Sequence, residues 1–116
     1  MDVEAFRNYC IQKDHVTEGF PFNQSTLVFK VANKMFALAD IDVFEFINLK
    51  TDPEKSTELR ENYDGIRPGY HMNKKLWNSV YVSMDVDDKL LYSLIDDSYN
   101  EVISTLSKKR RTELSL

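Results

Sequence analysis

Leu91, Leu94, Ile95, Ser98, Tyr99, Val102 and Leu106 recur at i, i+3, i+4 spacing near the end of the chain. That spacing lines one face of a helix for roughly five turns. Asp87 or Asp88 stands where its N-cap belongs. A helix with a long apolar stripe on one side is stable only against a second layer. The rest of the chain must therefore supply a surface for it.

Three segments qualify. Leu27–Val31 is rich in β-formers, Ala32-Asn33-Lys34 reads as a tight turn, and Met35–Leu38 returns. Phe44–Lys50 alternates, with Phe44, Phe46, Asn48 and Lys50 on one face and Glu45, Ile47 and Leu49 on the other. Asn78–Val82 is a further strand, and Ile66–Tyr70 is a short extended piece around Pro68-Gly69. Two more helices complete the pattern. Asp2 caps the first, which puts Val3, Phe6 and Cys10 on one face and ends near Lys13. Asp52-Pro53-Glu54 opens the second, a surface helix with Leu59 and Tyr63 inward, which Asp64-Gly65 stops. The expected fold is α+β, a two-layer sandwich in the order α-β-β-β-α-β-β-α. One antiparallel sheet carries the terminal helices on one face and leaves the other partly open. Residues 1–107 form a single domain, and 108–116 are a basic tail expected to fray.

With 116 residues, 42% apolar and 29% charged, the chain has the composition of an ordinary globular domain. Cys10 is the only cysteine, so no internal disulfide forms, and a reducing, cytoplasmic setting is the simplest expectation. The acidic start MDVEAFRNYC is not that of a signal peptide, and no segment nears a membrane span. Net charge is −4. Residues 1–64 hold seven basic and twelve acidic residues, while 65–116 hold eight and seven. Two stretches, 19–39 and 65–84, contain no acid at all.

The second acid-free stretch contains RPGYHMNKKLW, residues 67–77. One reading makes it a phosphate site. Asn73 caps a helical turn with free N–H groups, Lys74 and Lys75 add charge, Arg67 clamps a phosphate, and Tyr70, His71 and Trp77 offer stacking surfaces. The other makes it architecture, a Pro-Gly turn anchored by a buried Trp77. Lys30, Lys34 and Lys50 extend the first reading into a basic strip if they point the same way. As plain surface residues they would only guard sheet edges. The KKRR run at 108–111 complements a helix C-terminus.

Enzymatic signals are weak. There is no glycine-rich nucleotide motif, and His15 and His71 lie far from each other and from Cys10. No catalytic residue, metal ligand or cofactor is assigned. Asp85, Asp87, Asp88, Asp96 and Asp97 form an acidic ridge that could hold a hard cation. Helix caps and a solvated face explain it more simply.

The segments STLVFKVANKMFAL and INLKTDPEKSTELRENYDGIRPGYHMNKKLWNSVYV, with FRNYCIQKDHVTEGFPF before them and LIDDSYNEVISTL after, resemble the MmcQ/YjbR family of small bacterial proteins. The resemblance spans roughly Val3 to Lys108 and is most specific from Asn48 to Val82. It implies a frataxin-like or secretion-chaperone-like sandwich, and a DNA-binding label resting on a double wing of hairpins. Many members place a His directly before the Trp, where this chain has Leu76.

The leading expectation is a small non-enzymatic protein that binds nucleic acid weakly and in a salt-sensitive way, through Lys30, Lys34, Lys50, Arg67, Tyr70, His71, Asn73, Lys74 and Lys75. A protein-interaction module using the open sheet face or the Phe20–Phe22 loop is the alternative, favoured if those phenylalanines are exposed. A small-ligand or metal binder is the third, favoured if a deep pocket lies beside His71 and Asn48.

Overall fold

The computed structural model describes all residues, Met1–Leu116. Its elements run α1 (Val3–Ile11), β1 (Val16–Gly19), β2 (Thr26–Val31), β3 (Lys34–Asp40), β4 (Phe46–Lys50), α2 (Pro53–Asn62), β5 (Ile66–Pro68), β6 (Trp77–Tyr81), α3 (Asp88–Ser104) and α4 (Lys108–Glu113). The eight expected elements are all present, in the expected order. The structure adds β1 and α4.

Local signals set the boundaries. Asp2, Asp52 and Asp87 each accept a backbone N–H as N-caps of α1, α2 and α3. Ser107 does the same for α4 through Arg110 N, so the expected frayed tail carries a short helix. β1 escapes sequence reading because only Val16 of its four residues packs on the core. Its pairing with β2 makes it a strand.

All strands pair antiparallel in the order β1-β2-β3-β4-β6-β5. The β2–β3 hairpin closes through Ala32 and Asn33, whose φ angles of 50° and 64° match a two-residue type I′ turn. A bulge interrupts this pair: Phe29 faces Ala37 and Lys30 faces Met35, which leaves Phe36 as the extra residue. Phe36 and Ala37 both join the main core as a result.

That core lies between the sheet and the helices. Phe6 of α1 packs edge-on against Phe29 with ring centroids 5.3 Å apart, and Phe36 meets Tyr99 of α3 at 5.4 Å. Ile47, Leu49 and Val80 face it from the central strands, and Leu91, Leu94, Ile95 and Val102 from α3. Leu59 of α2 joins it too, so α2 lies on the same side. The opposite sheet face carries a much smaller cluster, Val28, Leu38 and Trp77, with Met35 and Met72 against it. No helix is long and apolar enough to cross a membrane.

Candidate functional site

The face without helices is roofed at two places by loops. Residues 20–25 rise over the start of β2, and residues 69–73 fold back over β6. Gly69 makes the second loop possible. Its N–H donates to Trp77 O at 2.9 Å, and a Cβ there would come within 2.8 Å of Trp77 Cβ. Only glycine allows so close an approach. Tyr70 N then donates to Ser79 Oγ at 2.9 Å, and His71 turns the chain with φ of 58°. Trp77 is 5% exposed and serves as the anchor beneath.

Between the loops lies a cleft of about 430 Å³. Thr26, Leu38, Asp40, Phe46 and Asn48 form its floor, and Phe22, Tyr70, His71 and Met72 its rim. The floor side chains come from the same face of β2, β3 and β4, as the pairings Thr26–Asp40 and Leu38–Asn48 show. Phe46 and Tyr70 meet nearly perpendicular at 6.0 Å and form an aromatic corner.

Half of this lining is polar, with Asn23, Thr26 and His71 beside Asp40 and Asn48. Asp40 Oδ1 accepts the N–H groups of Asp42 and Val43 at 2.8 and 3.0 Å. The Val43 and Asp42 bonds hold the Asp40 carboxyl below its usual range. Asn48 is 7% exposed, and its Oδ1 accepts from Ser79 Oγ at 2.6 Å. Ser79 Oγ accepts from Tyr70 N, and its own proton, fully buried with no other acceptor, goes to Asn48. That fixes the amide orientation and turns Asn48 Nδ2, which donates to no protein group, toward the cleft.

The residues of the expected basic strip are not gathered. Lys34 lies across the hairpin from Val31, on the helix side, and donates to Thr105 Oγ1 at 3.3 Å. Lys30 has the opposite parity. It borders a shallow recess with Glu18 and Phe20 beside β1. Arg67 lies on β5 at the other edge, bonded to Asp64 O at 2.9 Å and stacked 4.7 Å from the Tyr81 ring. Four strand spacings, roughly 19 Å, separate β2 from β5. Lys50 reaches over Trp77 at 5.4 Å, where burial and then Lys34 lower its pKa. Asn73 Oδ1 accepts from Lys75 N at 2.9 Å, which uses one of the N–H groups expected for a phosphate. Lys74 Nζ donates to Gly69 O at 3.1 Å. Of the expected set, Tyr70 and His71 come together in the cleft, and Asn73, Lys74 and Lys75 follow in the next turn.

The acidic ridge has other work. Asp87 caps α3, Asp85 accepts from Gly65 N and Asp64 N, Asp96 binds Tyr9 and Lys13, and Asp97 pairs with Lys55. No group of three or more His, Cys, Asp or Glu side chains is placed to hold a metal ion.

The family model YjbR matches residues 11–101. The chain belongs to the YjbR family. YbdF of Escherichia coli O157:H7 is 40% identical over 107 residues, covering 91% of this chain and 88% of the relative. YjbR of Escherichia coli K12 is 28% identical over 112 residues, covering 96% and 95%. Both are described as uncharacterised, so YjbR kinship brings no activity with it. The crystal structure of Deinococcus radiodurans protein DR2400 is 40% identical and superposes with a TM-score of 0.94, covering 99% of this chain and 88% of that one. A Pseudomonas syringae protein superposes with a TM-score of 0.73 at 29% identity, covering 87% and 98%.

Sequence reasoning placed Asn48 on the correct strand face but did not see Asp40 or Ser79 as site residues. A polar side chain inside an apolar strand run, as in Ile47-Asn48-Leu49, was the available signal.

Proposed function

We infer that this protein is a small non-enzymatic binding module whose cleft on the helix-free sheet face takes a small organic ligand. The observation that carries this reading is the cleft itself. Its size falls within the roughly 300–1,000 Å³ of ordinary ligand sites, and it combines aromatic walls with polar groups on its floor and rim. Nucleic-acid binding draws support from the acid-free stretches and the family resemblance. Against it stand the division of its basic residues between faces and edges, and the Asp40 carboxylate on the helix-free face. The buried free Cys10 fits a reducing, cytoplasmic compartment.

The test is a ligand-observed NMR screen of small neutral aromatic compounds against the native chain and Thr26→Phe, which fills the cleft floor. Hits that vanish in the variant support the reading. Hits that persist in it, or none at all, refute it.

A second reading has its own observation. Phe20 and Phe22 are 46% and 63% exposed on one loop, as a protein-contact surface requires.

A further inference from the structure

We propose that the cleft selects a flat heterocycle carrying both a carbonyl acceptor and an N–H donor, as a cyclic amide does. This rests on the cleft reading above and names the ligand chemistry.

The acceptor requirement comes from Asn48. Its side chain is more than nine-tenths buried, and its Oδ1 is engaged by Ser79. Ser79 is fully buried and its hydroxyl proton has no other acceptor, so a flipped amide would leave that proton unpaired. The Nδ2 group therefore presents donors to the cleft and cannot offer an acceptor by flipping. A ligand that brings no acceptor buries this donor unpaired.

The donor requirement comes from Asp40. Two backbone N–H groups hold Oδ1, and Oδ2 has only Ser25 Oγ at 3.4 Å. Oδ2 remains free to accept from a ligand. Asp40 is also the only carboxylate lining the cleft, and no Lys or Arg lines it. Anionic ligands are repelled there. An N–H donor, neutral or cationic, can meet Oδ2, but a ligand without an acceptor still leaves Asn48 unpaired. Molecules with both functions suit the pair.

Flatness follows from the Phe46–Tyr70 corner. A planar ring can lie on one face while meeting the edge of the other, the offset geometries that aromatic quadrupoles prefer.

Two bicyclic probes separate these ideas. 2-Quinolone carries the cyclic-amide edge, whereas indole carries an N–H donor and no matching acceptor. Each is titrated into ¹⁵N-labelled protein while the Asn48 side-chain NH₂ resonances are followed. We expect 2-quinolone to bind about tenfold tighter than indole and to move those resonances. Asn48→Ala should bring the two affinities together while leaving indole binding in place. Equal affinities with unmoved Asn48 resonances in the native protein overturn the acceptor inference and leave the cleft reading standing. If neither probe perturbs cleft residues at millimolar concentration, the cleft reading fails and the inference with it. The native titration decides the matter even if the alanine variant does not fold.

Discussion

Arg60 of α2 donates through Nε to Asn78 Oδ1 at 2.6 Å, a contact that joins the helix layer to the chain entering β6. The Arg60 Nη2 group extends the link to Lys74 O at 2.7 Å and Trp77 O at 3.2 Å. Asn78 is 1% exposed and passes the network on to Ser56 Oγ. Arg60→Ala leaves a buried amide oxygen without its donor, a loss of about 1–3 kcal/mol. Urea denaturation should show a lower midpoint with an unchanged slope. Arg60→Lys should recover only part, because one ammonium cannot reach all three acceptors. Full recovery by lysine would show that charge alone matters there.

Gly69→Ala should cost about 1–3 kcal/mol, since the added methyl meets Cβ atoms and a backbone carbonyl rather than flexible side-chain ends. Trp77 emission should move to longer wavelength as the loop lifts. Gly19→Ala is the control, with nothing within 4 Å of the new methyl, and should change stability little. Similar effects at both glycines would contradict the close-approach account of the 69–73 loop.

Asp85 makes stability acid-sensitive. Its carboxylate accepts from Gly65 N at 2.7 Å and Asp64 N at 2.8 Å, and the Gly65 bond is the main cause of its lowered pKa. A folded-state pKa below the unfolded one means the contribution is complete above the ordinary aspartate value of about 3.9. It fades as pH falls through the lower folded value. Asp85→Asn should therefore be less stable than the native chain at neutral pH, with the gap narrowing as pH falls below the ordinary aspartate value. A gap of constant size across that range would assign the effect to shape instead of charge.

Cys10 should be inert in the native protein. Burial drives its thiol pKa far upward, and the side chain is wholly inaccessible. Ellman's reagent should react on the order of a hundredfold slower with native protein than with urea-unfolded chain. Fast native reaction would mean that α1 detaches readily from the sheet.

Labelled duplex DNA should show no saturable change in anisotropy at micromolar protein and physiological salt. The basic side chains are divided between faces and edges of the sheet, which limits how many phosphate contacts act together. Binding at low salt that disappears in Lys74→Glu/Lys75→Glu would restore the nucleic-acid reading and place it on the turn after the cleft.

Local features were readable in the sequence. The stripe on α3, the aspartate caps and the β2–β3 hairpin all depend on neighbours within a few residues. β1 was not readable, because its strand character is lent by β2. The bulge at Phe36 was hidden because strict alternation assigns Phe36 and Ala37 to opposite faces. The opposite parity of Lys30 and Lys34 was hidden for a similar reason. A two-residue turn places Lys34 opposite Val31 and so on the other side from Lys30, a parity that a three-residue turn over 32–34 obscures. The cleft depends on Asn48 meeting Ser79, 31 residues on, with Tyr70 N completing the chain of bonds. Pairings at that separation leave no mark in periodicity.

The sheet also ends abruptly on both sides. β1 has four residues and leads into Phe20-Pro21, and β5 has three and finishes on Pro68, which has no N–H to offer. Neither margin presents a long row of unpaired amides on which another strand could template. The molecule can therefore leave one broad face accessible without inviting copies of itself to zip together edge to edge into fibrils.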